Sequence, residues 1–354
     1  MASAPDSLYI LLDTTETTVS FIPMISGEFR LQYEVTKEKK VYLETYDITV
    51  PAPEKTYSPY IAKIHEILPA PGQFTNIIPL YRHDNHDYMG WTVNSLVGKE
   101  KGSLISLGGF GGYIIFSFDH TILNVPKRRD LLILGNAFYA NANPKPDAPP
   151  GGSSEPGVIW VAYDANHNGQ PDDEEWFEIA GSEHNNPKTI HDYEITYYRP
   201  LTEEIDPDYD SYKTHETIKK YIPWKDNQGN SGFIPKNKFH NQSYFPGWID
   251  ADHLTFRGTR LPNNAIEESG KGTYWVQYCF AYGYVDNLPN NEIDAAIDFD
   301  WAVDKNGKPV HLPGVDFVKV VCGMHQDCGW LGETSTELMG AVDLHLVGRN
   351  LPTR

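Results

Sequence analysis

The feature that most limits what this chain can fold into is a succession of short apolar segments, each about the length of one β-strand. Apolar and polar side chains alternate in residues 8–12 and 29–33, which is the periodicity of a strand with one buried face. Residues 113–118 and 131–134 are further apolar segments of strand length. Many of these segments end at Gly, Pro, Asn or Asp, as turns between strands require. The pattern predicts an all-β protein.

Length and charge limit the domain organisation and the partners. The 354 residues are enough for one β-domain of roughly 250 residues and a small extra module. Because residues 50–55 are typical of a linker, we predict a partial or short immunoglobulin-like β-module at residues 1–54 and a binding domain at residues 55–354. The net charge of −19 disfavours nucleic acid and anionic lipid surfaces as partners, because both are negatively charged.

The sequence shows neither a segment that could form a membrane helix nor a recognisable signal peptide. No segment approaches the roughly 18 to 20 apolar residues that a membrane helix needs. Residues 1–10 lack the basic start and the apolar core of a signal peptide,. Two alternatives remain open at this point: a cytoplasmic protein, or a mature exported chain to which Met1 has been added.

One short helix is predicted at residues 58–68. Ser58 can cap its amino end and Pro59 suits the first helical position. Ile61, Ile64 and Ile67 would share one face at helical spacing,. We expect this helix to close one end of a β-sandwich.

The most specific local motif is an acidic loop at residues 164–175. It matches the calcium-loop pattern D-x-[DN]-x-[DN]-G-x5-E at every fixed position,. A hard cation takes six to eight oxygen ligands, and alternate residues of a tight loop can supply them. The predicted ligands are Asp164, Asn166, Asn168, the backbone carbonyl of Gln170, Asp172 and Glu175. Gly169 would permit the sharp turn between them.

The flanks of this loop differ from those of a helical calcium hand. Residues 158–163 and 176–179 are both strand-like, and Pro171 replaces the usual apolar residue. We therefore expect a calcium loop that joins two strands, in which Asp173 or Glu174 could replace Glu175 as the closing ligand. Ca²⁺ would stabilise the fold and would not act as a signal. The alternative is an acidic hairpin that binds no ion.

Catalytic motifs are not evident. Asp119, Asp130 and Glu155 lie beside predicted strands, and two suitably spaced carboxylates would permit glycoside hydrolysis. No nucleophile-elbow, zinc-protease or Cys–His signature is present. The 13 His residues are scattered, His184 and His191 among them, and we expect them to be exposed; residues 83–87 are a denser cluster that could hold a second metal.

The three cysteines permit one bridge at most. Cys322 and Cys328 are close in sequence and could pair in an oxidising compartment, whereas Cys279 lies in an apolar segment,. His325 lies between the first two, but the second ligand pair of a zinc site is missing.

Aromatic residues are abundant, with 22 Tyr and 8 Trp. Most of them are expected in the core, and a few in loops could stack on a ligand. The candidates are Trp91, Trp224, Tyr244, Trp248 and Trp330.

Several sequence blocks in one order resemble a family of Bacteroidota cell-surface proteins, often outer-membrane lipoproteins with a PKD-like amino-terminal module. The resemblance covers roughly residues 57–347. Besides the acidic loop, the blocks are residues 69–74, 111–119, 135–138, 154–157, 190–200, 258–262, 314–320 and 328–337.

The resemblance implies a jelly-roll-like β-sandwich, which we take as the expected fold of residues 55–354, and a PKD-like origin for residues 1–54. It also implies an exported protein on the extracellular side of the outer membrane, held by a lipid anchor that these residues lack. Some members of the family belong to TonB-linked uptake systems, including those for vitamin B12. The family offers no catalytic residues to carry over.

These observations predict a non-enzymatic surface protein that is stabilised by Ca²⁺. It would capture a nutrient, with cobalamin preferred, and pass it to an outer-membrane TonB-dependent transporter. Three alternatives stay open: a carbohydrate-binding module or lectin, a glycoside hydrolase-type enzyme, and a structural component of a surface assembly.

Overall fold

The computed structural model shows a chain that is almost entirely β, and the prediction of an all-β protein is confirmed. The chain divides into two compact units, Met1–Tyr57 and Ser58–Arg354. The described residues are 9–14, 19–23, 26–37, 39–52, 55–81, 87–140, 147, 149–200, 218–240 and 242–354. Among them, α1 (Tyr88–Leu96) is the single α-helix.

The first unit contains two antiparallel strand pairs. Its strands are β1 (Tyr9–Thr14), β2 (Val19–Pro23), β3 (Gly27–Lys37) and β4 (Lys40–Val50). β1 pairs with β2, and β3 pairs with β4 along its whole length, from Gly27 opposite Val50 to Lys37 opposite Lys40. β4 is exposed along most of its length, so burial contributes little to the stability of this hairpin. A PKD-like origin for the unit stays a prediction.

The second unit contains nineteen strands among the described residues. They are β5 (Lys63–Leu68), β6 (Ile105–Ser106), β7 (Tyr113–Leu123), β8 (Leu131–Leu134), β9 (Phe138–Tyr139), β10 (Gly151–Ser153), β11 (Gly157–Ala162), β12 (Trp176–Ile179), β13 (Ile190–Tyr198), β14 (Ile218–Asp226), β15 (Ser231–Lys236), β16 (His253–Arg260), β17 (Ala265–Glu267), β18 (Trp275–Tyr278), β19 (Ala296–Ile297), β20 (Ala302–Val303), β21 (Gly314–Cys322), β22 (Glu337–Leu338) and β23 (Gly340–Asp343).

These strands form five sheets, and every pair within them is antiparallel. The largest sheet has the order β20-β12-β11-β21-β7-β5. Two four-stranded sheets have the orders β15-β14-β13-β16 and β17-β18-β10-β9. A three-stranded sheet, β19-β8-β23, and the pair β22-β6 complete the set.

This division differs from the predicted jelly-roll-like sandwich, which would place its strands in two facing sheets. The hairpin β14–β15 adds to β13 and β16 and makes a separate sheet. That sheet has an aromatic core of its own, which includes Tyr193, Tyr197 and Phe256. Both strands of this hairpin lie within residues 201–250, a polar and aromatic part of the sequence with few strand signals. The sequence therefore did not predict this additional layer.

The largest sheet carries the main hydrophobic core. Phe116 on β7 lies opposite Val318 on β21, and Ile114 lies opposite Val320. All four side chains are fully buried. Each such side chain contributes roughly 1.5–3 kcal/mol relative to an exposed one, so this register holds the sheet against slippage.

The prediction of a helix at residues 58–68 is wrong, because Lys63–Leu68 is strand β5. A β-bulge between Ile64 and Glu66 inserts one extra residue in the pairing with β7. The extra residue places Ile64 and Ile67 on the same buried face,. A three-residue apolar spacing, which is typical of a helix, therefore arises here from a bulged strand.

The helix that does form, α1, starts after Asp87, whose side chain accepts a hydrogen bond from the backbone N–H of Gly90. This is an ordinary amino-terminal cap. Tyr88, Thr92 and Leu96 are buried at four-residue intervals along one face. None of the helices in the described part of the chain has the length and hydropathy to cross a membrane.

Candidate functional site

The second unit contains a cavity of about 460 Å³ beside the sheet β15-β14-β13-β16. Five stretches that are far apart in sequence meet there. The lining residues are Gly109, Phe110, Tyr197, Trp224, Asp226, Asn230, Phe233, Ile234, Pro235, Arg260, Asn263, Met324, His325, Gln326, Asp327, Glu333 and Thr334. The lining therefore combines large aromatic rings with charged, amide and hydroxyl groups.

Trp224 supplies the largest aromatic surface of the cavity. It lies on β14 directly opposite Gly232 on β15. A Cβ atom at Gly232 would lie 2.7 Å from the indole ring, so the absence of a side chain there makes room for the ring. The His325 ring packs edge-on against Trp224, with ring centroids 4.6 Å apart. The indole is thus held between a glycine and an imidazole.

Glu333 is the most unusual polar group in the lining. Its side chain is buried, and its Oε1 accepts a 2.5 Å hydrogen bond from the backbone N–H of Gln73. Its Oε2 has no hydrogen-bond partner among the described residues. Burial raises the pKa of Glu333 to about 8, because a charged carboxylate is poorly solvated there. At neutral pH this side chain is mostly a neutral carboxylic acid that can donate a hydrogen bond.

The other ionisable groups of the cavity differ in charge. Burial would raise the pKa of Asp226, but hydrogen bonds, chiefly from Asn230, outweigh burial and hold that pKa below its usual value. Burial, helped by the positive charge of Arg260, lowers the pKa of His325 to about 4. The cavity therefore presents an ionised Asp226, a guanidinium and a neutral imidazole in addition to the neutral Glu333.

The five aromatic residues predicted to stack on a ligand are dispersed. Trp224 lines the cavity. Trp91 lines a separate, shallower cleft, and Trp330 is 48% exposed outside the cavity. Tyr244 is fully buried in the aromatic core, and Trp248 stacks on a tyrosine of α1. Only Trp224 is in a position to contact a ligand in this cavity.

The carboxylates considered for hydrolysis lie elsewhere. Asp130 is fully buried and accepts hydrogen bonds from His345 and from backbone N–H groups. Glu155 lies in a separate cluster with two buried carboxyl groups, those of Asp286 and Glu337. Asp119 accepts hydrogen bonds near the start of the second unit. None of the three predicted carboxylates lines the cavity.

Sequence reasoning assigned no binding role to Glu333 or Arg260, and it considered His325 only as a zinc ligand. These residues are carried by separate segments, and only the fold brings them together. One signal was present: Glu333 and Thr334 belong to a block at residues 328–337 that supports the family resemblance. This block is rich in polar residues and yet largely buried, which is unusual unless the polar groups serve a site.

The acidic loop joins β11 to β12, which pair directly with each other from Ala162 opposite Trp176. The strand-like flanks that the sequence indicated are therefore present. Asp173–Glu175 forms a short 3-10 turn just before β12. Gly169 has a φ of +71°, a backbone conformation in which glycine is strongly favoured.

The side chains of the loop form hydrogen bonds with one another and with its backbone. Asp164 accepts hydrogen bonds from the backbone N–H groups of Asn168 and Gly169, at 3.0 and 2.8 Å. Asp172 accepts hydrogen bonds from the side-chain amides of Asn166 and Asn168, each at 2.7 Å. The side-chain oxygens of Asn166 and Asn168 accept hydrogen bonds from the backbone N–H groups of Asn168 and Gln170, at 2.9 and 2.7 Å. Hydrogen bonds among its own polar groups therefore hold the loop in a tight turn.

Glu175 closes this loop. Its Oε1 accepts a 3.0 Å hydrogen bond from the backbone N–H of Ala165, at the opposite end of the loop. Its Oε2 is buried and has no hydrogen-bond partner among the described residues. A buried carboxylate oxygen with an unused lone pair suits a cation ligand. Glu175 therefore fits the closing position of a calcium loop.

The cysteines form no disulfide in this structure; Cys279, Cys322 and Cys328 are all free thiols. Burial raises the pKa of Cys322 to about 11 and that of Cys328 to about 12. Both thiols are therefore protonated and poorly reactive at neutral pH. Of the denser His cluster at residues 83–87, only Asp87 lies among the described residues.

Comparisons with known protein families and with curated proteins find no match to this chain. The resemblance to Bacteroidota surface proteins therefore depends on the sequence blocks alone.

Proposed function

We propose that this protein is a non-enzymatic binding protein whose cavity captures a small polar ligand, with a sugar as the favoured class. The lining of the cavity carries the proposal. Sugars offer an apolar ring face and a rim of hydroxyl groups, and aromatic surface next to convergent polar groups binds both. Trp224 and Phe233 supply aromatic surface, while Asn230, Glu333 and Arg260 supply hydrogen-bonding groups.

The size of the cavity supports a small ligand. Its volume of about 460 Å³ lies within the range of roughly 300–1,000 Å³ that is common for small-molecule sites. Cobalamin, the ligand preferred from the family resemblance, is a macrocycle with an attached nucleotide and would leave most of its surface outside such a cavity. The volume therefore favours the carbohydrate alternative over the vitamin.

The cellular role we propose derives from the family resemblance. The protein would be exported, would lie on the outer membrane facing the exterior, and would pass its ligand to a TonB-dependent transporter. The net charge of −19 supports a partner that is neither nucleic acid nor an anionic membrane surface.

We also propose that the acidic loop holds Ca²⁺ through the six predicted ligands. The buried, unpaired Oε2 of Glu175 supports this assignment. When bound, the cation would neutralise carboxylates that otherwise repel one another. It would tie β11 to β12 within the largest sheet and stabilise that sheet.

Isothermal titration calorimetry with monosaccharides, short glycans and cobalamin tests the binding proposal. We expect one sugar class to bind wild-type protein. Trp224→Ala should weaken binding at least about ten-fold, because truncation of a Trp at the centre of a binding site commonly costs about 2 kcal/mol or more. Trp330→Ala is the matched control, since Trp330 is exposed outside the cavity. Equal binding by wild-type protein and Trp224→Ala would contradict the assignment.

One observation favours a second function, glycoside hydrolysis. The cavity holds a neutral Glu333 and an ionised Asp226, and carboxyl groups with such different pKa values can act as acid and base,. Release of reducing sugar from a polysaccharide panel tests this function. Hydrolysis that is lost in Glu333→Gln would support it, whereas binding without any product supports the non-enzymatic function.

A further inference from the structure

Glu178, His184 and His191 form a cluster that the proposed cavity does not use. One carboxylate oxygen and two imidazole nitrogens lie within 4.8 Å of one another. Glu178 is on β12, His184 is on the turn that follows, and His191 is on β13. The sequence predicted that both histidines are exposed, which is wrong for the buried His184. The fold brings both next to a buried carboxylate.

The first pair of ligand atoms is already in place. Glu178 and His184 are 6% and 8% exposed, and Oε1 of Glu178 lies 3.0 Å from Nδ1 of His184. A proton on Nδ1 occupies the space between them when no metal is bound. Metal ligands at about 2.0–2.2 Å from a zinc-like ion are separated by a similar distance, so a metal ion can replace that proton with little movement. The second oxygen, Oε2, accepts a hydrogen bond from the Thr259 hydroxyl group, with 2.5 Å between the two oxygen atoms. This bond fixes the orientation of the carboxylate.

The third ligand has a free lone pair. Nε2 of His191 lies 3.1 Å from the backbone carbonyl oxygen of His184. Because a carbonyl only accepts, Nε2 carries the hydrogen, and Nδ1 of the neutral ring carries a lone pair. Nδ1 lies 3.4 Å from the Thr259 hydroxyl oxygen, whose single hydrogen is donated to Glu178. Metal-binding histidines typically donate their other N–H to such a carbonyl, which orients the ring.

We propose that Glu178, His184 and His191 bind a divalent transition-metal ion of the zinc class. Two imidazoles and one carboxylate are a ligand set that Zn²⁺ takes in sites with an open fourth position. Ca²⁺ and Mg²⁺ prefer oxygen ligands alone, so this site and the acidic loop select different metals. His191 is at the surface, which gives the ion and a solvent ligand access.

Calorimetric titration of the full chain with Zn²⁺, in the presence of excess Ca²⁺ to fill the acidic loop, tests the proposal. We expect one Zn²⁺ per chain and a Kd at least about ten-fold higher in His191→Ala, since even second-shell changes at such sites cost 10–100-fold. His311→Ala is the matched control, because His311 pairs with Asp300 at 3.2 Å in an exposed His–carboxylate pair outside the cluster. Its Kd should equal that of the wild-type protein.

A second variant and a second readout guard against misfolding. Glu178→Gln should also weaken Zn²⁺ binding at least about ten-fold, because it removes the charged ligand. Co²⁺ in place of Zn²⁺ should give the visible absorption of a four- or five-coordinate ion in wild-type protein and in His311→Ala, but not in His191→Ala. Absence of Zn²⁺ binding, or equal losses in His191→Ala and His311→Ala, would overturn the proposal.

Discussion

The variant Glu333→Gln tests whether the buried carboxyl group of Glu333 is protonated in the folded protein. Burial raises the pKa of Glu333 from 4.5 to about 8. Between these two pH values the unfolded chain releases the Glu333 proton while the folded chain keeps it. The unfolded state then binds fewer protons, so the free energy of unfolding falls as pH rises. The stability from the neutral side chain is complete below about pH 4.5 and is lost by about pH 8.

The size of the effect follows from linkage. One pH unit corresponds to about 1.4 kcal/mol for one proton. Glutamine has nearly the shape of the protonated acid and does not titrate. From pH 5 to pH 7 the stability of Glu333→Gln relative to wild-type protein should therefore increase by about 2.5 kcal/mol. Other buried carboxyl groups, such as Glu337 and Asp130, are present in both proteins and largely cancel in the difference.

Urea denaturation of both proteins at several pH values between 5 and 8 measures this difference. Glu100→Gln, which changes an exposed carboxylate, is the control and should show no comparable trend. If the stability difference between Glu333→Gln and wild-type protein stays constant within about 0.5 kcal/mol across this range, Glu333 is ionised in the cavity and the reasoning is refuted.

Three further predictions concern the metal loop, the core and ligand binding. A chelator should lower the Tm of wild-type protein by about 5 °C if Ca²⁺ is near 100 times its Kd. The shift should vanish in Glu175→Gln and persist in the control Asp304→Asn, which changes another Asp–Asn turn. An unchanged wild-type Tm would mean that the acidic loop binds no Ca²⁺. Phe116→Ala should cost about 3–5 kcal/mol in urea denaturation because the ring is fully buried,; a loss below about 1 kcal/mol would contradict its core position. Ligand affinity should fall as pH rises through about 8, where Glu333 ionises. If calorimetry finds the same affinity on both sides of pH 8, Glu333 does not donate a hydrogen bond to the ligand.

Local patterns predicted the β-class and the strand-joining loop. Alternation and turn residues identify strands without knowledge of their partners, and the acidic loop is a contiguous motif. The helix error at Lys63–Leu68 shows the limit of this approach. A β-bulge changes the side-chain period within a strand, and only the register with β7 reveals it.

The cavity and the histidine cluster could not be predicted in the same way. Trp224, Arg260 and Glu333 come from separate parts of the chain, and no sequence spacing encodes their proximity. Tyr244 illustrates the converse: it resembles a loop aromatic in the sequence, but it is fully buried. Composition shows that aromatic and acidic residues are available, while the division into five sheets decides which of them meet.

A crystal structure of the protein with the tightest ligand from the glycan panel tests the central claim most directly. The account predicts density for the ligand inside the cavity, stacked on Trp224 and within hydrogen-bond distance of Glu333. Ligand bound elsewhere, for example on the exposed Trp330, with only solvent in the cavity, would contradict it.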